Sequence, residues 1–246
     1  MEIKDIHLET VGSTNEYAKT HSSQFDPQEI TCINADQQTA GYGRMQRRWH
    51  SPKDCNIYAT FYFRLSLQTL HLASLAQIMT LSVSMVLIKE GLCPKIKWPN
   101  DVQLNEKKLA GVLCETRFHT DGIEIFLGIG INVNMDLDQL SLIDQPATSL
   151  SNETGHLWDR AVLLKKLQKQ FAADLEKFKK EGFTPFHSQF ENLLAYKGQT
   201  IRCFDGHKEW VGICHSITSD GQLNLYLANK EIHTMLSGDI TKVSPG

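Results

Sequence analysis

Apolar and polar residues alternate over residues 3–11, the period of a strand with one covered face. Gly12 breaks the pattern. Ser13-Thr14-Asn15-Glu16 has capping-box spacing and predicts a short helix from there. Apolar runs at 31–35 and 56–64, the second rich in aromatic and β-branched residues, predict two more strands. Between them, residues 37–51 form a long loop carrying glycines and arginines. Residues 71–90 suit a helix, with Gly91 as its C-cap. Residues 95–98 read as a short strand stopped by Pro99. Residues 101–104 and 108–117 pair across Asn105-Glu106-Lys107, and after the Asp121-Gly122 turn 124–134 returns as a strand. The stretch 135–158 reads as irregular. Residues 160–181 put Leu164, Leu167, Phe171, Leu175 and Phe178 on one helical stripe. Thr184-Pro185 starts a further helix to about Tyr196.

The texture changes after Gly198. Short apolar stretches alternate with the turns Asp205-Gly206, Asp220-Gly221, Asn229-Lys230 and Gly238-Asp239. Four or five such strands predict a small antiparallel barrel. A boundary is expected near Lys197, giving domains at 1–196 and 197–246. The expected fold class is α+β: a mixed β-sheet with helices packed on one side, then the small barrel.

Composition narrows the function. A chain of 246 residues, 41% hydrophobic and 22% charged, is not mainly disordered and needs no disulfide or metal to fold. The net charge of −3 argues against a dedicated nucleic-acid binder. An anion must be held by a local cluster, and 37–53 supplies one: no acid, but Arg44, Arg47, Arg48 and Lys53. The six cysteines form no CxxC pair and match no zinc spacing, which fits reduced thiols in a cytoplasmic protein. The N-terminus is not a signal peptide. Residues 65–88 lack Asp, Glu, Lys and Arg but hold nine polar residues of 24, so a buried helix is expected there and not a membrane span.

Four segments carry candidate chemistry. In Gly41-Tyr42-Gly43-Arg44-Met45-Gln46-Arg47-Arg48-Trp49, glycines allow close backbone approach, guanidiniums suit phosphate or carboxylate, and the indole can stack on a ring. Lys97-Trp98-Pro99-Asn100-Asp101 projects an amide and a carboxylate at a strand end. Lys107-Lys108-Leu109-Ala110-Gly111 puts a lysine before a strand that a glycine interrupts. Gly128-Ile129-Gly130-Ile131-Asn132 leaves room beside a strand. Each alone has a plain alternative: a solvated basic turn, a Pro-Asn-Asp turn, a hairpin-edge lysine, an ordinary strand.

Together, in this order and after Ser13-Thr14-Asn15, they resemble the biotin protein ligase family, in a short form without an N-terminal DNA-binding domain. The resemblance implies a biotin/lipoate ligase-like catalytic domain followed by an SH3-like barrel. It implies ATP and Mg2+ as cofactors, biotin as substrate, and transfer through biotinyl-AMP to a lysine of a biotin carboxyl carrier protein, the biotin-accepting subunit of acetyl-CoA carboxylase. The implied catalytic residues are Lys108, Arg44 and Asp101. The implied biotin site is Ser13, Thr14, Asn15, Gln38, Gly41, Arg44, Lys108 and Gly111. The implied nucleotide site is Arg47, Trp49, Asn100 and Asn132. No protein metal site is expected. Tyr42 stands where the family's glycine-arginine loop has its first arginine, so one cationic contact is missing. The last domain is read as a packing module; the alternative has it touching ATP or the carrier through Gly238-Asp239 and Lys242, though the family's nucleotide-contacting arginine has no clear counterpart there. No DNA binding and no membrane are expected, and a homodimer is left open.

Two alternatives are carried. A lipoate ligase or other acyl-adenylating ligase of the same fold would give Ser13, Thr14 and Gln38 no ureido group to bind. A non-catalytic biotin or nucleotide binder would leave Lys108, Arg44 and Asp101 without a task.

Overall fold

The computed structural model describes residues 3–69 and 71–243. Strands β1 (Ile3–Val11) and β2 (Ile30–Gln38) are parallel, and helix α1 (Thr14–His21) lies on the crossover between them. Strand β3 (Ile57–Leu65) returns antiparallel to β2. Helix α2 (Ser74–Lys89) leads to β4 (Lys95–Lys97), β5 (Asp101–Leu104), β6 (Lys107–His119) and β7 (Gly122–Ile131). These strands make one mixed sheet in the order β1-β2-β3-β7-β6-β5-β4.

β3 is covered on both faces because its alternate residues serve different layers. Ile57, Ala59, Phe61 and Phe63 face the main core. Helix α5 (Arg160–Glu181) enters that core through its predicted stripe, with the Phe171 ring 5.1 Å from Phe61. Tyr62 faces the other way, into a small cluster with Ala18, Ile33 and Phe126. The mixed sheet is as expected, with α2 and α5 on one face. The short α1 covers part of the opposite face, where the cavity described below also lies.

Local differences have physical reasons. Ser13 is the N-cap residue of α1, but its side chain makes no cap bond and Glu16 turns to Lys19 and Tyr42, so the predicted capping box does not form. A capping box forms instead at Asp136 and Gln139, starting α3 (Leu137–Ser141) inside the stretch read as irregular. α4 (Leu150–Thr154) follows, capped by Ser149 and ended by Gly155 at φ 74°. Thr184–Phe186 is a tight 3-10 turn, so the helix expected from Thr184 is the shorter α6 (His187–Leu193).

The second sheet contains β8 (Thr200–Phe204), β9 (Glu209–Ile217), β10 (Leu223–Tyr226), β11 (Ile232–Met235) and β12 (Asp239–Lys242), in the order β11-β10-β9-β8-β12. Its buried residues, among them Ile201, Cys214, Leu225 and Ile240, are continuous with the main core. One carbonyl docks it firmly. Gly221 O accepts from Gln77 Nε2 at 2.6 Å and from Trp98 Nε1 at 2.9 Å. Among the described residues, all six cysteines are free thiols and no helix is long and apolar enough to cross a membrane.

Candidate active site

Strand register builds the site. Asp101 on β5 pairs with Gly111 on β6, and Gly111 pairs with Gly130 on β7. The three positions form a row, and two of them carry no side chain. The Trp49 ring lies on this bare floor. A Cβ on Gly130 would sit 2.3 Å from Trp49 Cε2, and one on Gly111 would sit 3.1 Å from Trp49 Cζ3. At the end of the row, Lys108 Nζ is 2.9 Å from Asp101 Oδ1 and 5.3 Å from the Trp49 ring centre. Both side chains of this ion pair are mostly buried, at 17% and 14% exposure. In a pair so far removed from water, losing either partner leaves an uncompensated charge. Among the described residues the Trp49 Nε1–H is buried without a hydrogen-bond partner.

The neighbouring row, Thr60–Gly128–Leu113, carries the polar end. Asn15 rests on Gly128, where a Cβ would lie 2.5 Å from its Oδ1. The Thr60 hydroxyl bridges Thr14 Oγ1 at 2.8 Å and Asn15 Oδ1 at 2.5 Å. Gln38 Oε1 accepts from the Thr14 backbone N–H at 2.9 Å, and Gln38 Nε2 donates to Ser51 Oγ at 3.2 Å. Ser13 exposes only 5% of its surface and lines the same cavity.

The loop closes the third side. Its legs are tied by Trp49 N–H to Gly41 O at 2.9 Å and Gly43 N–H to Arg47 O at 2.8 Å. Arg44 Nη1 donates to Asn100 Oδ1 at 3.3 Å and to Gly238 O at 3.1 Å. The cavity so bounded is about 420 Å³, the size of a small-ligand site.

The structure brings most of the sequence candidates together. Ser13, Thr14, Asn15, Gln38 and Gly111 line the cavity, as do Arg44, Arg47, Trp49, Asn100, Asp101 and Lys108. Two candidates do not line it. Gly41 lies behind Gln38 and Ser51, where a Cβ would come within 2.8 Å of both side chains. Asn132 is buried, and its amide donates to Thr148 O at 3.1 Å, so it fixes the segment that pairs with Lys108.

Four participants were given no role from the sequence. Thr60 looks like any β-branched strand residue. Lys97 lines the cavity; burial lowers its pKa, with Asp101 opposing and Lys108 adding to the shift. Lys19 and Glu115 pair at 2.7 Å beside Tyr42. Burial works against the charge on Lys19, but hydrogen bonds to Glu115, Glu16 and Tyr42 outweigh it and raise its pKa. A signal existed for Glu115 only in hindsight of register: it lies two residues beyond Leu113 on the same face of β6.

The chain is similar to known proteins over most of its length. The model of the biotin/lipoate A/B protein ligase family matches residues 8–132. The bifunctional ligase/repressor BirA of Escherichia coli is 34% identical over 220 residues, 89% of this chain and 68% of that protein. The biotin–[acetyl-CoA-carboxylase] ligase of Paracoccus denitrificans is 32% identical over 199 residues, 78% of this chain and 82% of that one. The structure of the Aquifex aeolicus biotin protein ligase in complex with biotin and ATP superposes with a TM-score of 0.82 at 31% identity, covering 98% of this chain and 99% of that one. The matched segment holds both glycine rows, the loop and the Lys108–Asp101 pair, and the chain belongs to the biotin/lipoate A/B protein ligase family.

Proposed function

We propose that this protein activates biotin with ATP as biotinyl-5'-AMP and transfers the biotinyl group to a lysine of a biotin carboxyl carrier protein. The observation that carries this reading is the Lys108–Asp101 pair, 2.9 Å apart beside Trp49 on the glycine floor. It joins a polar pocket to a cationic one within a single cavity.

Biotin's ureido group is neutral, with two N–H donors and one carbonyl, and it needs fixed polar partners. Ser13, Thr14, Asn15 and Gln38 are that set, held by Thr60 and Ser51. A lipoyl ring would leave them without a ligand partner, and buried unpaired polar groups are costly. In the first step the biotin carboxylate oxygen attacks the α-phosphorus, and the bond to the bridging oxygen breaks to release pyrophosphate. Both reactants are anionic. Lys108 and Arg44 offset that repulsion where charge develops, and Arg47 and Lys97 extend the cationic side toward the leaving phosphates. Trp49 and Asn100 are assigned to the nucleotide. In the second step a lysine ε-amine attacks the acyl carbon and AMP leaves. The incoming ammonium must first lose a proton, and Asp101 is assigned to accept it.

Mg2+ belongs to this reading as the partner of ATP. Among the described residues, no three His, Cys, Asp or Glu side chains converge in a metal-holding group. The ion is assigned to the phosphates of ATP, the usual habit of Mg2+ with nucleotides.

The test is exchange of labelled pyrophosphate into ATP, with biotin and lipoate as parallel substrates. Biotin-dependent exchange is expected, with Lys108→Ala lowering it by roughly a hundredfold or more. Asp101→Asn is expected to impair transfer from preformed biotinyl-AMP more than exchange. Exchange with lipoate alone would move the chain to the sister activity, and no exchange with either would leave a binding protein.

A further inference from the structure

The cationic side of the cavity already holds a carboxylate. Asp239, the first residue of β12, places Oδ2 2.6 Å from Arg47 Nη2 and Oδ1 3.3 Å from Arg44 Nη1. It comes from the second sheet and not from the domain that carries the glycine floor. Its position is stiff. Gly238 has φ +154°, and a Cβ there would meet Phe204 O at 2.8 Å, while Ile240 is fully buried. Lys242 Nζ on the same strand reaches Glu106 Oε1 at 2.8 Å, a second tie across the same gap.

We propose that Asp239 is a placeholder anion: it holds Arg44 and Arg47 at the cavity mouth until a polyphosphate displaces it, so that the second sheet sets the affinity for ATP. This rests on ATP being the nucleotide substrate. The charges support it. Of the two cavity-lining aspartates, Asp101 is taken by Lys108, which leaves Asp239 to the two arginines. Arg47 is 66% exposed, so its pair with Asp239 is well screened and easily exchanged. A polyphosphate offers several charge-assisted bonds in place of one carboxylate. Arg44 keeps Asn100 Oδ1 and Gly238 O after the exchange, so it stays in position while its counter-ion changes.

Removing this ion pair therefore tightens ATP binding. The experiment compares wild type, Asp239→Asn and Asp239→Glu by KM for ATP and for biotin, and by direct calorimetric titration of inorganic pyrophosphate. Asp239→Asn is expected to lower the KM for ATP roughly threefold to tenfold and to tighten pyrophosphate binding in parallel, with the KM for biotin unchanged. Asp239→Glu is expected to restore the wild-type values, and the difference is expected to shrink as ionic strength rises. Unchanged or weaker ATP and pyrophosphate binding in Asp239→Asn overturns the proposal. So does a fall in melting temperature with ATP affinity unaltered, which would assign Asp239 to holding the sheets together. Wild-type protein without exchange activity would sink the ligase reading, and the pyrophosphate titration would still decide the role of Asp239.

Discussion

The Tyr42 hydroxyl lies 2.5 Å from Glu16 Oε1 and 3.0 Å from Glu115 Oε2, with Lys19 Nζ 3.0 Å away. The side chain is spent on α1 and β6, not on an anion in the cavity. The missing arginine at this position is thus less a lost phosphate contact than a latch of different chemistry, closing one leg of the loop onto α1. Lys19 still pairs with Glu16 and Glu115 when the hydroxyl is removed, so Tyr42→Phe is expected to fold normally. It is expected to release preformed biotinyl-AMP faster, by up to roughly tenfold, since a hydrogen bond to a charged group is lost. Tyr42→Arg can pair with the same carboxylates and is expected to release it more slowly. Dilution of the loaded enzyme followed by adenylate off-rates decides both, and equal rates in all three proteins would remove the latch. At this scale the sequence named Lys108, Asp101 and Trp49 because their neighbours form unusual strings. It gave no role to Thr60, Lys97 or Glu115. Their residue types are ordinary in strands, and only register tells which face each occupies.

Strand pairing is where the two glycines of 128–130 acquire separate tasks. Gly128 seats Asn15 in the polar row, and Gly130 seats Trp49 in the row that ends at Asp101. Gly128→Ala is expected to raise the KM for biotin, and Gly130→Ala the KM for ATP, each by roughly tenfold to a hundredfold, because a methyl group displaces the ring or amide by about 1 Å. Steady-state kinetics with each substrate varied in turn checks this, and equal effects on both substrates would contradict the division. The glycine pattern was visible in the sequence as room beside a strand. Its division was not, since nothing in 128–130 says that Thr60 and Tyr58 lie across one edge and Leu113 and Gly111 across the other. Asn132 shows the same limit in reverse. It follows the glycines immediately, yet its amide serves the Thr148 carbonyl. Helix periodicity was more direct: the stripe from Leu164 to Phe178 is buried throughout, because a 3.6-residue repeat needs no knowledge of partners.

The two sheets share one apolar core, and the Gly221 carbonyl joins the second sheet to both α2 and Trp98. A single cooperative thermal transition is therefore expected in calorimetry, despite the change of texture after Gly198. Two resolved transitions would show that the sheets unfold independently. That change of texture made the second sheet legible as a separate run of strands. The docking was not legible, because it depends on a backbone carbonyl that any residue possesses. The floor under Trp49 has its own meaning for how such a protein can change over generations. Gly111 and Gly130 are already the smallest residues, so substitution there can only add atoms and never remove them. Drift on the floor runs in one direction, toward a shallower cavity. A lineage that came to accept a bulkier acyl group or base could not make room by altering these two positions. It would have to rebuild other parts of the lining, such as the loop from Gly43 to Trp49, so new specificity has to be written away from the floor.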